Sequence, residues 1–243
     1  MPKLFPILVL CLYHISGYAA DTQIGLGSEV FAWQEFDSTG TRILTENGQR
    51  YRFSYQLIET DEALRQYSLS SIYFGDVNYD GHLLDGTPYT AISGYTGISL
   101  EHGWQLQLIK TPTRIYTELG LGVDIWQRQL DKTGALGYTE TFSLLFVRWN
   151  YGIQYRGFFS KVGLKSPLYI HEYVDLGLSL KPIPQLSSYA ELGYRFGQFV
   201  LTLYADDYRL GESPSALYNG DGRYYHQPTS TMDTLGLRFS LRY

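Results

Sequence analysis

The last residues of the chain, Leu235, Leu237, Phe239, Leu241 and Tyr243, place an apolar side chain at every second position, while Thr234, Gly236, Arg238, Ser240 and Arg242 occupy the alternate face. A period of two belongs to an extended strand, whose successive side chains point to opposite sides. A strand ending Leu-Arg-Phe-Ser-Leu-Arg-Tyr therefore has one face suited to lipid and one suited to a polar interior. Few architectures can offer a strand both environments at once.

The same alternation recurs near residues 22–36, 50–59, 65–76, 93–108, 114–128, 141–155, 157–168, 187–196, 198–209 and 231–243. In the second segment Tyr51, Phe53, Tyr55 and Leu57 alternate with Arg52, Ser54 and Gln56. In the fifth, Ile115, Leu119, Leu121, Val123 and Ile125 alternate with Glu118, Gly120, Gly122 and Asp124. Links near 60–64, 109–113, Gly157 and Gly197-Gln198 are short, whereas 37–49, 77–92, 129–140, 169–186 and 210–230 are long. The expected fold is all-β: a transmembrane antiparallel up-and-down barrel of about ten strands, with short periplasmic turns, long extracellular loops and both termini in the periplasm. Eight or twelve strands are the alternatives, and the stretch 176–187, with Pro182 and Pro184, has room for a strand extension beyond the membrane.

The terminal strand resembles that of bacterial outer-membrane β-barrel proteins, which close on an aromatic residue with apolar residues two and four places upstream. Tyr243, Leu241 and Phe239 match that pattern and are the expected assembly signal. One position departs from it: the family's usual Gly five residues before the end is Arg238, with Gly236 two places earlier. The resemblance implies a cell outer membrane location, contact with outer-membrane lipid and lipopolysaccharide, and recognition by the barrel-assembly machinery during insertion. The amino terminus agrees with export. Lys3 precedes an apolar run from Leu4 to Tyr13, and the small residues Gly17 and Ala19 frame a cleavage site, so residues 1–19 read as a signal peptide and 20–243 as one barrel domain. Cleavage after Ala20 is the alternative.

Cys11, the only cysteine, lies inside that leader. Its lipoprotein reading is disfavoured because the bulky Leu10 precedes it. The mature chain then has no thiol for a disulfide, a metal or a nucleophile. Losing Lys3 leaves 18 cationic against 24 acidic side chains, a net charge of −6 that argues against a nucleic-acid partner. Apolar residues make up 44% and aromatics 16%, including 23 Tyr, yet no mature run reaches the roughly 18 apolar residues a spanning helix needs. A soluble β-sandwich shows the same alternation and is the bland alternative.

Turning the polar alternate inward gives an expected lumen network of Glu29, Arg52, Glu101, Glu118, Asp124, Arg148, Lys161, Glu191, Arg195, Arg238 and Arg242, with Arg156, Lys165 and Asp206 beside it. Charges of both signs across so narrow a barrel make a packed polar core that obstructs flow. In this scheme Glu118, Asp124 and Glu191 face Arg148, Arg195 and Arg238. Glycines such as Gly97, Gly122 and Gly236 would leave room for long Arg and Tyr side chains opposite. Trp33, Phe36, Tyr51, Tyr73, Trp126, Tyr169, Tyr194, Tyr204, Tyr208 and Tyr243 fall mostly near strand ends, where aromatic girdles form. His102 is in phase with Ile98, Leu100, Trp104 and Leu106, so it faces lipid unless a bulge near Gly103 resets the register.

No phosphate loop, HExxH helix, EF-hand loop or nucleophile elbow occurs, and no cofactor or metal site is expected. Asp76-Val77-Asn78-Tyr79-Asp80-Gly81 resembles half of an oxygen-ligand calcium loop but lacks the distal Glu, and reads better as a solvated turn. The omptin proteases resemble the chain in strand number and use acids and a His at the outer rim. Rim candidates are Asp206 with Asp207, Asp80 with His82 and Asp85, and His171 with Glu172. Their paired motifs do not align with this sequence. The expected role is an integral, non-enzymatic barrel that anchors surface loops for a protein partner, with a narrow porin and then a rim hydrolase as alternatives.

Overall fold

The computed structural model describes residues 20–59, 63–82, 87–110, 112–131, 134, 137–218 and 220–243. The leader 1–19, the turn residues Asp61 and Thr111, and Asp85 lie outside the described residues. Fourteen strands occur among those described. They are β1 (Ala20–Phe36), β2 (Arg42–Glu59), β3 (Leu64–His82), β4 (Pro88–Ile109), β5 (Arg114–Gln129), β6 (Thr139–Tyr155) and β7 (Phe158–Val174), then β8 (Leu178–Leu180), β9 (Ile183–Gln185), β10 (Ser187–Phe196), β11 (Phe199–Gly211), β12 (Ala216–Tyr218), β13 (Arg223–Tyr225) and β14 (Thr229–Arg242).

The ten long strands β1–β7, β10, β11 and β14 close into one antiparallel barrel, with β10 on β7 and β14 on β1 as the sealing pairs. Closure matters because a free strand edge in hydrocarbon would leave its backbone N–H and C=O groups without partners. At the seam Tyr243 donates its backbone N–H to Thr22 O at 2.9 Å. The tight turn between β6 and β7 is built on Arg156 and Gly157, both at positive φ (47° and 90°), the primed geometry that matches strand twist. Arg156 is thus an exposed turn residue with its guanidinium over Tyr155, not a lumen charge.

Alternation holds along the outward face. Leu26 and Val30 on β1, Tyr51 and Phe53 on β2, and Leu119 and Leu121 on β5 are exposed apolar residues. Further toward the loop end the same outward positions turn polar, at Gln34, then Gln49, Asn47 and Thr45, then Gln127 and Gln129. A spanning strand needs about 9–11 residues. Several strands are longer: β3 has 19 and β4 has 22. Much of the sequence length expected in loops is therefore wall that continues beyond the apolar band. Residues 42–49 belong to β2, 77–82 to β3, 88–92 to β4 and 169–174 to β7. The half calcium loop at 76–81 is part of β3, and Asp80 points outward.

His102 keeps its outward phase, because the β4 register with β3 and β5 runs unbroken past Gly103. Its Nδ1 is 2.9 Å from Ser68 Oγ and its ring stands edge-on to Trp104, so the imidazole is partnered on the lipid side without a bulge. The aromatic girdle is only half where the sequence pattern put it. Tyr51, Tyr169, Tyr194 and Tyr243 are exposed on the outside, whereas Trp33, Tyr73, Trp126, Tyr204 and Tyr208 are buried inside the barrel.

Candidate functional site

Inside the apolar band the polar alternate meets across the lumen. Glu29 holds Arg50 at 2.9 Å and also pairs with Arg52, and it accepts from Tyr204 at 2.6 Å. Arg148 sits 2.7 Å from Glu101, Lys161 is 3.3 Å from Glu118, and Arg238 and Lys161 flank Glu191 at 3.6 and 3.9 Å. Arg242 pairs with Asp21 at 2.7 Å, and Lys165 with Asp206. Asp124 accepts from Tyr73 at 2.8 Å and from Tyr208 at 3.2 Å. Arg195 lies with its guanidinium 5.3 Å from the Phe159 ring centroid, and its buried Nε has no hydrogen-bond partner. Arg50 and Asp21 are network members the sequence reading missed. Arg50 is in phase with Arg52 and was legible, but it stood at an assumed strand boundary.

Room for such long side chains comes from glycines, where the hydroxyl end of a ring on one strand reaches over a glycine on the next. Tyr73 covers its register partner Gly97, and Tyr204 covers Gly236. A Cβ at either glycine would overlap the ring.

Toward the loop end the network stops at a layer of rings. Trp126 stacks on Phe142 with centroids 4.8 Å apart, Trp33 lies 5.4 Å from Phe142, and Tyr208 is 6.2 Å from Trp126. Phe31 and Tyr95 continue the layer at 4.8 Å. The Arg50 guanidinium lies 3.8 Å from the Phe31 centroid on one side, and that of Arg128 lies 5.0 Å from Trp33 on the other.

Above the rings is a second charge cluster, level with outward glutamines and therefore outside the apolar band. Arg128 ends the inward phase of β5. It contacts Glu35 of β1, Glu46 of β2 and Glu140 of β6, each at 2.9 Å. Trp33 Nε1 also donates to Glu35 at 2.9 Å, and Tyr95 donates to Glu46. A fourth acid, Glu172 of β7, is only 1% exposed, yet its Oε2 has no hydrogen-bond partner. Glu46 Oε1 and Arg128 Nη2 are likewise buried without one.

A bulge puts Glu172 there. Phe146 pairs with Pro167 but the next residue, Leu145, pairs with Tyr169, so Leu168 is extra and the phase of β7 flips. Beyond it Ile170, Glu172 and Val174 face inward, and His171 faces out to Ser179 Oγ at 2.8 Å. Four carboxylates around one guanidinium cannot all stay ionised at ordinary cost. Burial, then the neighbouring acids, push the Glu172 carboxyl well above its usual range. Burial raises Glu140 to about 7, with Arg128 acting in the opposite direction.

The cup has a roof. Residues 212–218 and 220–228 fold over it through the β12–β13 pair and send the buried Gln227 down to Glu35 at 3.3 Å. β8 on β7 and β9 on β11 close the wall above the short β10. Between roof and acids lies a pocket of about 510 Å³. Its sides are apolar (Leu44, Leu130, Val174, Leu178) and tyrosine-rich.

The rim pairs picked out from the sequence do not converge. Asp206 points inward to Lys165, while Asp207 points outward to Arg209 at 3.3 Å. His171 and Glu172 are split across the wall for the same reason, since neighbours on a strand face opposite sides. His82 faces out. Among the described residues no group of three or more His, Cys, Asp or Glu is placed to hold a metal ion.

A closed ten-strand antiparallel barrel with an outward apolar band and a polar lumen is the fold of bacterial outer-membrane β-barrels. The chain is similar to the outer membrane protease OmpT from Escherichia coli, with TM-score 0.54 and 8% identity over 92% of this chain and 96% of that one, a likeness of fold alone. It is more weakly similar to an outer membrane channel from Pseudomonas putida F1 (TM-score 0.47, 9% identity, covering 93% and 96%) and to the attachment invasion locus protein Ail of Yersinia pestis (0.35, 9%, covering 92% and 99%). No protein-family model and no curated protein sequence matches it.

Proposed function

We propose that this protein is a closed, non-conducting barrel of the Gram-negative outer membrane. Residues 1–19 direct its export, Phe239, Leu241 and Tyr243 direct its insertion, and the cup under the β12–β13 roof faces outside the cell. In this reading outer-membrane lipid and lipopolysaccharide surround the apolar band, no cofactor is held, and the loop end serves recognition. The observation that carries the reading is the filling of the lumen. The cavity left among Arg52, Glu101, Arg148, Lys165 and Arg238 has a volume of about 40 Å³, room for only a few waters, and the ring layer caps it. Ion pairs that span a narrow barrel hold it shut.

Wild-type barrel in a planar bilayer should be nearly silent, and a large, steady conductance would transfer the reading to a porin. For orientation, Asp175→Cys in intact cells should react with an impermeant thiol reagent, and Gln198→Cys should not. The reverse pattern would overturn the assigned topology.

A further inference from the structure

Within the loop-end cup, Glu172 has no partner that explains it. Three carboxylates are held by Arg128, and Glu172 is not one of them. Its Oε2 is buried, lacks any hydrogen bond, and belongs to the wall of the roofed pocket. A buried carboxyl needs hydrogen-bond donors, a cation or a proton, and Glu172 Oε2 has no donor. The carboxylates surround a guanidinium instead of converging on one point, which disfavours a bare metal ion. At about 510 Å³ the space has the size of a small organic ligand's site. Its remaining walls supply what such a cation needs beyond charge. Leu44, Val174 and Leu178 offer apolar contact, and Tyr79, Tyr218 and Tyr225 line the space with aromatic side chains of the kind an ammonium group favours.

We propose that this pocket binds a small organic monocation, an ammonium group on an apolar or aryl body, with the ammonium on Glu172 and the body between the apolar wall and the roof tyrosines. Binding displaces a proton. The groups facing Glu172 and Glu140 are Glu35 from β1, Glu46 from β2, Tyr79 from β3 and Arg128 from β5, with Tyr138 beside β6 and Asp221 and His226 in the roof. Burial and the neighbouring acids favour the protonated form of the Glu172 and Glu140 carboxyls, and an arriving ammonium favours their ionised form. Affinity therefore rises with pH.

The site does not depend on whether the lumen conducts, so its test is separate from bilayer recording. The full-length purified barrel in maltoside micelles is titrated calorimetrically with phenethylammonium, phenethyl alcohol as the neutral isostere, and calcium chloride. The ammonium should bind at least about tenfold tighter than the alcohol at pH 8 and weaken about tenfold by pH 6. Proton release should appear as a dependence of the heat on buffer ionisation enthalpy. Glu172→Gln, which keeps the shape and removes a buried charge, should abolish the preference over the alcohol. Leu178→Trp, which fills the pocket from the wall, should weaken both probes. Equal binding of ammonium and alcohol would overturn the proposal, as would unchanged binding by Glu172→Gln or saturable binding of calcium alone.

Discussion

The two halves of the barrel interior use the same residue types and reach opposite electrostatic states. Within the apolar band, Asp21, Glu29, Glu101, Glu118, Asp124, Glu191 and Asp206 meet Arg50, Arg52, Arg148, Lys161, Lys165, Arg195, Arg238 and Arg242, so the charges nearly balance. Above the ring layer, Glu35, Glu46 and Glu140 share one Arg128, and Glu172 lies beside them outside its ion pairs. A balanced network satisfies itself and is mainly structural. An unbalanced one must be satisfied by something that comes and goes, a proton or a cation, and that is a site's property.

The hardest way to break this contrast is to remove a cation from each half. Arg128→Met strands its acids in a buried cluster and should cost about 3–5 kcal/mol in urea unfolding. Arg238→Met leaves Glu191 with Lys161 and Tyr189, and should cost only about 1 kcal/mol. Equal costs would mean the cup is no more dependent on its cation than the lumen.

A second comparison separates the two barriers to flow. The ring layer, not any one ion pair, spans the lumen between the halves. Trp126→Ala with Phe142→Ala should therefore raise single-channel conductance more than Glu191→Ala with Arg195→Ala, since Arg195 rests on Phe159 and not on Glu191. The opposite ranking would make the charge network the gate.

Packing in the lower half can be sharpened at Gly97, where an added methyl meets Tyr73. Gly97→Ala should lower stability by about 1–3 kcal/mol, and Tyr73→Ala should relieve that overlap in a double-mutant cycle.

The smallest expected effect is a slope with pH. Glu140 is raised from 4.5 to about 7 in the fold, so the folded form binds more protons than the unfolded one between those values. Its contribution is fully present below pH 4.5 and is lost as pH rises through about 7. Glu172 is raised as well, by burial and then by the neighbouring acids, and contributes with the same sign. Proteolytic nicking of the β12–β13 roof should accordingly increase from pH 5 to pH 8. Glu172→Gln should flatten the trend and add about 1 kcal/mol at pH 8. A roof that becomes more resistant as pH rises would contradict the sign.

What was legible beforehand was whatever depends on a period of two. Strand number, inward and outward phase and the closing strand all follow from alternation, because the pleat itself sorts side chains onto two faces. Strand ends were not legible, since a wall standing in water carries the same polar residues as a loop; Glu46 and Glu140 therefore stood in assumed loops. Polar alternation also cannot say whether an aromatic lies inside or out when it sits near a strand end, as Trp33 and Trp126 do. Glu172 depended on one extra residue at Leu168, a slip that leaves no mark in composition yet reverses every side chain beyond it. The sequence by itself determined a barrel and its two faces through local geometry. Only the tertiary structure decided which charges meet, because residues as distant in the chain as Glu35, Arg128 and Glu172 become neighbours only when the sheet closes.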